Sequence, residues 1–480
     1  MKTFTSRLVC ALAFAAVLFS ACEKSGEEGK GGPSASSGPD VTADALDHDI
    51  HNRKAPLYWT VYEYLWTQEA AGISGNDMDI TADHWDKIIE WMATEMLPYG
   101  YDMLCTDGFM PMLNKEGALY MTHYGSCSLK DIIAKCKAKG LKLGIYDNPL
   151  WIRSPENTVI PGTNKTIKDL KYNALTDKVS KPDAKDTWFT WAVATHEGCR
   201  EYIDGFFKHY HDLGVEFIRI DFLSWYEDGK DNGMGTVGKG YGRDTYELAL
   251  KYIYESAKKY DMFVSLVMPH CYNNAEFESA YGHMFRVVRD TWSGGWDHFS
   301  EANRGKVRGL WPNCDNQFDG FVYWSKVAGR GKVIMDGDFT RLNTFANDAQ
   351  KRSVISLQLM AGGPIAIADQ YNTIGDNARF YQNIEMLELN KDRFAGQPLS
   401  SSLLNNNNRI WYGQMTNGDW VVGLFNRDNS AKSISLDLSE IGLNGEYKMR
   451  DLWLHKDEGA ASKISITLPA YDCKIVRLSK

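Results

Sequence analysis

The chain of 480 residues contains no block rich in lysine and arginine, and its formal net charge is −9. A domain that binds nucleic acid usually carries a concentrated basic patch, because it has to neutralise phosphate groups. The sequence therefore gives no electrostatic reason to expect nucleic acid as a partner.

Motifs for metals and cofactors are missing as well. None of the nine cysteines lies in a CxxC motif or at the spacing of zinc ligands. No glycine-rich phosphate loop follows the first predicted strand, and no flavin or nucleotide motif is visible. We therefore expect no metal and no other cofactor.

Aromatic residues, by contrast, are frequent: they make up 12% of the chain and include 15 Trp and 25 Tyr. The rings of Trp and Tyr combine a large apolar face with a polar group, which suits the rings of sugars. The composition is otherwise that of a globular protein, and it favours a site lined by aromatic side chains.

The first 22 residues have the pattern of an export signal rather than of a membrane span, with Lys2 and Arg7 before an apolar run. Residues 18–22 (LFSAC) resemble a bacterial lipobox, which predicts a lipoprotein signal peptide over residues 1–21 and lipidation of Cys22. An ordinary signal peptide with a chance cysteine is the alternative. Loss of the signal and use of Cys22 would leave seven cysteines, so at least one thiol is expected to be unpaired.

The next segment, residues 22–50, is rich in Gly, Ser, Glu and Pro and is predicted to be a disordered tether. Together, signal and tether predict an exported protein that is lipid-anchored to a bacterial membrane, in the periplasm, at the outer membrane or at the cell surface.

Beyond the tether, short β-like runs alternate with amphipathic helical stretches, which is typical of α/β folds with parallel strands. Eight strands are predicted, near residues 56–64, 101–107, 141–147, 215–221, 262–268, 284–290, 332–336 and 363–369. This pattern predicts a (β/α)8 TIM barrel over residues 51–395. A doubly wound open sheet is the alternative, although such sheets usually carry the phosphate loop that this chain lacks.

The last part of the chain, residues 396–480, alternates apolar and polar residues between turn signals such as Asn417-Gly418. It is predicted to be an antiparallel β-sandwich that follows the barrel.

Several predicted strands end in aspartate, and the carboxyl ends of barrel strands meet at one mouth. These residues are Asp107, Asp147, Asp221, Asp290, Asp336 and Asp369. The period of two along a strand also puts Arg219 on the same face as Asp221. An aspartate after a strand often only caps the next turn, and Asp369 is expected to do so, but six together predict a shared acidic pocket.

The order of these motifs resembles glycoside hydrolase family 27, the α-galactosidase and α-N-acetylgalactosaminidase group, which shares a clan with family 36. The motifs are Ala55-Pro56-Leu57-Tyr58-Trp59, Gly100-Tyr101 to Asp107, Leu143 to Asp147, Arg219-Ile220-Asp221, Arg286 to Asp290, and residues 327–339 with their Asp-x-Asp. The resemblance covers roughly residues 55–480. It adds weight to the barrel with a β-sandwich behind it.

The resemblance implies a retaining exo-acting hydrolase with Asp221 as nucleophile and Asp290 as acid/base. It also implies that Arg219 keeps Asp221 ionised. Residues expected to bind the sugar are Trp59, Asp107, Tyr146, Asp147, Arg219, Arg286, Asp336 and Asp338. An α-galactosidase that acts on terminal α-galactosyl residues of glycans is the first expectation.

Two departures from the family leave the substrate open. The family holds the galactose 4- and 6-hydroxyls with two consecutive aspartates, but here Asp107 is followed by Gly108. The cysteine that often follows the nucleophile motif is absent from the segment FLSW. The alternatives are a β-L-arabinopyranosidase, an α-N-acetylgalactosaminidase, a hydrolase active on α-glucans, and a non-catalytic surface lipoprotein that binds glycans.

Overall fold

The computed structural model describes residues 52–108, 110–115, 117–173, 178–179 and 189–480. The predicted signal peptide, the tether and the lipidation site Cys22 lie outside these residues, so they stay predictions. Within the described ranges, no helix is both long and apolar enough to cross a membrane.

A parallel eight-stranded sheet forms the first unit, and it contains all eight predicted strands. The strands are β1 (Leu57–Thr60), β2 (Met103–Cys105), β3 (Lys142–Tyr146), β4 (Phe217–Ile220), β5 (Phe263–Leu266), β6 (Met284–Arg286), β7 (Ile334–Asp336) and β8 (Ile365–Ile367). They are hydrogen-bonded in the order β7-β6-β5-β4-β3-β2-β1-β8. This sequential order belongs to a barrel and excludes the doubly wound sheet.

The barrel closes through the segment that follows β7. The N–H of Thr340 donates to the carbonyl of Ala366, at 2.8 Å, and its carbonyl accepts from the N–H of Ala368, at 2.9 Å. Because these bonds join the segment after β7 to β8, the sheet has no open edge at the mouth.

Helices fill the connections. They are α1 (Tyr62–Ala70), α2 (Ala82–Trp91), α3 (Leu129–Ala138), α4 (Ile167–Lys171), α5 (Cys199–Leu213), α6 (Leu223–Asp228), α7 (Arg243–Lys259), α8 (Tyr272–Tyr281), α9 (Gln317–Trp324), α10 (Asp348–Met360), α11 (Ala378–Tyr381) and α12 (Ile384–Lys391). The buried side chains of α3, Leu129, Ile132, Ile133 and Cys136, recur at helical spacing, so this helix packs one apolar face on the sheet.

The second unit is a β-sandwich. Its strands are β9 (Gln397–Pro398), β10 (Ile410–Gln414), β11 (Trp420–Phe425), β12 (Lys432–Asp437), β13 (Tyr447–Asp451), β14 (Lys456–Ala461), β15 (Lys463–Leu468) and β16 (Cys473–Ser479). A six-stranded sheet, β9-β10-β11-β16-β13-β14, faces the pair β12-β15. Alternate side chains of β11 pack in two different cores. Val422 and Leu424 lie in the core of the sandwich, while Val421 lies in the core shared with the barrel.

The cysteines take no part in cross-links in the described part of the chain. All seven that it contains, Cys105, Cys127, Cys136, Cys199, Cys271, Cys314 and Cys473, are free thiols. Stability therefore rests on packing and on buried polar contacts.

One buried arginine ties the two units together. Arg427, just after β11, makes a 2.7 Å ion pair with Asp319 of α9 and donates to the side-chain and carbonyl oxygens of Ser300. Its guanidinium also lies 4.2 Å from the ring centroid of Phe318. Burial lowers the pKa of Arg427 to about 10, because the charge of Asp319 only partly offsets the loss of hydration.

We expect Arg427→Met to lower the free energy of unfolding by about 3–5 kcal/mol, because it leaves Asp319 buried without its cation. Chemical denaturation measures the change. The control is Asp457→Asn, which removes an exposed ion pair with Arg450 and should cost less than about 1 kcal/mol. Equal effects of the two substitutions would contradict the interpretation.

Candidate active site

The mouth of the barrel collects the acidic residues that the sequence places at strand ends. Asp221 follows β4 directly, Asp336 ends β7, and Asp338 lies two residues further on. Arg219 on β4 and Arg286 at the end of β6 lie among them. Three strands that are far apart in the chain thus contribute to one polar cluster.

Asp221 is held by contacts to both carboxylate oxygens. The Tyr146 hydroxyl donates to Oδ2 at 2.8 Å, and the backbone N–H of Phe222 donates to Oδ1 at 2.7 Å. Asn148 fixes the backbone as well, since its Nδ2 donates to the Asp221 carbonyl at 2.7 Å. The carboxylate is therefore oriented, while its residue stays partly exposed at the mouth.

The charge of Asp221 is balanced differently from the sequence-based expectation. Burial raises the pKa of Asp221, the Arg286 guanidinium opposes that rise, and the charge of Asp290 reinforces it. Arg219 also lowers the pKa, in the expected direction, but its effect comes after those of burial, Arg286 and Asp290, and the pKa is raised overall. Arg219 acts on Asp221 only weakly because its guanidinium points to Asp336, at 2.8 Å, and Asp338, at 2.9 Å.

Asp338 is the centre of the cluster. Its Oδ1 accepts from Arg219 at 2.9 Å and from Arg286 at 3.0 Å, while its Oδ2 accepts from the N–H and the hydroxyl of Thr291. Burial raises the pKa of Asp338, but Arg286 and Arg219 outweigh burial, and the pKa lies below its usual value. Asp338 is therefore a fully bonded anion that joins β4, β6 and the loop after β7.

Asp290 lies at the more open side of the site. Its carboxylate contacts the Arg286 guanidinium, and 39% of its side chain is exposed. The neighbouring Arg289 turns away to Asp297, at 3.3 Å. Because it is accessible, this carboxyl group can contact a bound molecule or water.

Asp107 presents a buried carboxylate oxygen that no hydrogen bond uses. Its Oδ1 accepts from the N–H of Gly108 at 2.7 Å, while its buried Oδ2 has no hydrogen-bond partner. Burial raises the pKa of Asp107 to about 7. Because an unpartnered buried oxygen is costly, this atom is suited to receive hydroxyl groups of a ligand.

Two residues predicted to bind the sugar have structural partners within the fold. Trp59 is fully buried, packs edge-on against Trp85 and donates from Nε1 to the carbonyl of Asp369. Asp147 is fully buried and accepts from the Tyr210 hydroxyl at 2.6 Å, while Arg153 pairs with it at 2.7 Å. Both side chains are fully buried and bonded within the fold, and their contact with a sugar stays a prediction.

Aromatic side chains flank the cluster on two sides. Beside Asp221, the ring of Phe222 lies 4.8 Å from Phe189 and 4.6 Å from Trp225. On the side of Asp290, Trp66 of α1 lies 6.0 Å from Trp292. None of these aromatic residues is among the candidates of the sequence analysis, although Phe222 directly follows Asp221.

Backbone strain is gathered at the same mouth. Phe222, Met268, Trp292 and Asp338 all have a positive φ, between 44° and 68°, although none is glycine. They follow β4, β5, β6 and β7 respectively. Bulky residues avoid this conformation, and its occurrence at functional sites is a recurring feature of proteins.

Comparison with known proteins identifies the family. Over 442 residues, the chain is 37% identical to an isomalto-dextranase of Arthrobacter globiformis, covering 88% of this chain and 67% of that one. The structure of Arthrobacter globiformis T6 isomalto-dextranase with panose matches with a TM-score of 0.79 and 35% identity, over 91% of this chain and 74% of that one. The chain belongs to glycoside hydrolase family 27.

More distant similarities agree with this assignment. Residues 405–478 match the family described as alpha galactosidase C-terminal beta sandwich domain. A family 27 β-L-arabinopyranosidase of Geobacillus stearothermophilus has the same fold, with a TM-score of 0.67 and 18% identity over 91% of this chain and 99% of that one. An α-galactosidase of Oryza sativa is 27% identical over 195 residues, 39% of this chain and 46% of that one.

The burial of the Asp107 carboxyl group leads to a prediction about stability. We expect Asp107→Asn to stabilise the protein relative to wild type, and increasingly so as the pH rises from about 4 to about 7. Burial raises the pKa of folded Asp107 to about 7, whereas an aspartate in an unfolded chain ionises near about 3.9. Over that interval the folded wild type binds the additional proton, so its stability falls as the pH rises.

The measurement is the difference in melting temperature between the two proteins on both sides of that interval. Other titrating groups are common to both proteins, so their contributions cancel. A difference that does not change with pH would show that Asp107 titrates normally.

Proposed function

We propose that this family 27 member is a retaining hydrolase of α-1,6-linked glucans rather than an α-galactosidase. The relative that matches along barrel and sandwich together is named isomalto-dextranase, whereas the α-galactosidase of Oryza sativa aligns over 195 residues only. The residue that follows Asp107 supports this choice of substrate.

That residue is Gly108, which has no side chain. A family α-galactosidase places a second carboxylate here for the 4- and 6-hydroxyls, and a Cβ at Gly108 would make an ordinary van der Waals contact with the Tyr146 ring, at 3.5 Å. In an α-1,6-linked glucan, O6 of each internal glucose carries the next sugar. We expect the missing carboxylate to let the chain continue from O6, where a second carboxylate would bind the free hydroxyl of a terminal sugar.

The proposed reaction uses the two carboxyl groups of the cluster. Asp221 attacks the anomeric carbon while Asp290 gives its proton to the leaving oxygen, which forms a glycosyl ester and frees the shortened chain. Asp290, now a carboxylate in contact with Arg286, takes a proton from water, and the hydroxide releases the sugar with retained configuration.

The surrounding residues prepare this reaction. The Tyr146 hydroxyl and the Phe222 N–H point the Asp221 carboxylate before substrate arrives, so little orientation has to be acquired during the reaction. Arg286 opposes the burial-induced rise in the pKa of Asp221, which favours the anionic nucleophile. Asp107 supplies an acceptor for hydroxyls of the bound sugar.

A comparison of substrates tests the proposal. We expect release of short sugars from dextran, little or none from amylose, and weak activity on 4-nitrophenyl α-galactoside. Asp221→Asn should reduce the rate on dextran by several orders of magnitude and leave the melting temperature close to that of wild type, since the amide keeps the shape of the carboxylate. A clear preference for the α-galactoside would overturn the assignment to glucans.

Gly108→Asp tests the role of the open site. The new carboxylate should hinder a glucan linked at C6 and add a charge-assisted bond to a terminal sugar, worth about 1.5–3 kcal/mol. The ratio of kcat/KM for 4-nitrophenyl α-galactoside over dextran should rise by roughly tenfold or more. The control Gly108→Asn adds similar bulk without charge, so a rise common to both variants would assign the effect to shape alone.

A further inference from the structure

We propose that His270 is a positioning residue for the reaction, and that it acts through Trp311 on Arg286. The inference rests on the proposed function, because that function assigns the acid to Asp290 and the nucleophile to Asp221. His270 lies in the loop after β5 and is only 1% exposed, so its ring is a support for other side chains rather than a contact for sugar.

Both ring nitrogens of His270 are bonded, and the bonds decide which nitrogen carries the proton. Nδ1 lies 2.9 Å from the backbone nitrogen of Trp311, and Nε2 lies 2.9 Å from Oδ1 of Asp228. A backbone N–H can only donate, so Nδ1 carries no proton, and the N–H at Nε2 donates to Asp228. Burial lowers the pKa of His270, although the charge of Asp228 opposes this, and the lowered pKa favours the same neutral ring.

Asp228, which accepts from His270, is itself fixed. It ends α6, the helix that begins two residues after Asp221. Its Oδ2 accepts from the hydroxyl of Tyr272 at 3.0 Å, at the start of α8, and Lys230 lies 3.5 Å from the same oxygen. The carboxylate therefore joins α6, α8 and the loop after β5, and it holds the His270 ring in one orientation.

Trp311, in the connection between β6 and α9, is held at both polar groups of its backbone. Its N–H donates to His270, and its carbonyl accepts from the N–H of Asn232 at 2.7 Å. Its ring centroid lies 4.8 Å from the guanidinium carbon of Arg286, and the residue is only 4% exposed. A cation over an indole that is shielded from water makes a favourable contact, so the two backbone bonds keep this contact in place.

Arg286 needs support on its face. Its Nη1 donates to Asp338 at 3.0 Å and its Nη2 contacts Asp290, whereas its buried Nε has no hydrogen-bond partner among the described residues. Hydrogen bonds at the tips of a guanidinium lie in its plane and leave the group free to tilt, and the indole of Trp311 opposes this tilt. The indole therefore maintains the contact to Asp290 and the influence of Arg286 on Asp221.

Two substitutions in the full-length enzyme separate the two bonds of His270. Asparagine places an amide oxygen close to the position of Nδ1, so His270→Asn keeps an acceptor for the Trp311 N–H and loses the bond to Asp228. Glutamine places an amide nitrogen close to the position of Nε2, so His270→Gln keeps a donor to Asp228 and leaves the Trp311 N–H without its acceptor. Only the second change should affect the reaction.

We expect His270→Gln to lower kcat on dextran by about 10- to 100-fold with little change in KM, because a small misplacement of a reacting group has effects of this size. His270→Asn should retain a kcat close to that of wild type. The matched control is His283→Gln at the amino ends of β5 and β6, where Nδ1 of His283 also accepts from a backbone N–H, that of Val264, at 3.1 Å. This control should change neither constant. Equal losses in the two His270 variants would overturn the proposal.

The pH profile of kcat/KM is a second readout, which a mere loss of stability would not move. The charged and titratable groups that act on Asp221 or are acted on by it are Arg286, Asp290, Tyr146, Arg219 and Asp107. Of the two cations, Arg286 lowers the pKa of Asp221 more strongly. Displacement of Arg286 should therefore raise this pKa, and because Asp221 has to be ionised to attack, the acid limb should move to higher pH in His270→Gln. An acid limb at its wild-type position would contradict the proposal.

The route through Trp311 is tested by a double substitution. Trp311→Leu keeps the backbone N–H and removes the indole from Arg286, so adding His270→Gln to it should lower kcat no further. Additive losses would show that His270 acts by another route. If His270→Gln does not fold, Trp311→Leu is compared with Trp311→Phe: leucine should move the acid limb, phenylalanine should restore much of its position, and the absence of a shift overturns the proposal.

Failure of the proposed function would look different. If wild type does not cleave dextran, the same constants are measured with the aryl glycoside that it does cleave, because the contact between Arg286 and Asp290 does not depend on the sugar. A fully active Asp221→Asn would refute the proposed mechanism, whatever the His270 variants show. A His270→Gln enzyme with the kcat and the pH profile of wild type would refute the positioning role alone.

Discussion

The mouth of this barrel depends on the two ion pairs that Asp338 makes with buried guanidinium groups. Arg219 and Arg286 come from β4 and β6, and without the carboxylate between them two like charges would be buried together. Opposite unit charges about 4 Å apart attract by about 4 kcal/mol at an intermediate dielectric constant. Since Arg286 in turn contacts Asp290, the position of the proposed acid follows from this anion.

Much of the mouth is costly for folding. Asp107 keeps a buried oxygen without a partner, and Phe222 and Trp292 hold positive φ values beside Asp221 and Asp290. Each such feature costs on the order of 1–3 kcal/mol, which the apolar core of the barrel and the interface at Arg427 have to offset. The costs fall on groups that a bound sugar would satisfy or touch, as expected where preorganisation serves binding and catalysis.

The sequence predicted local features well, but it did not predict which side chains contact each other in the folded protein. All eight strands and the acidic residues behind them could be predicted, because apolar runs and their ends are local patterns. Trp59 and Asp147 fit the same patterns, yet Trp59 packs on Trp85 and Asp147 is saturated by Tyr210 and Arg153. Such neighbours are brought close only by the fold, so no local pattern distinguishes a framework residue from a ligand-binding one.

The substrate depends on still smaller differences. Galactose and glucose differ at one hydroxyl, and the family resemblance that predicts the fold says little about which of the two a site accepts. In the proposed assignment the decisive position is Gly108, which lacks the second carboxylate that a family α-galactosidase carries beside Asp107. A glucan chain has to continue from O6 of the reacting sugar, whereas a terminal galactose ends there.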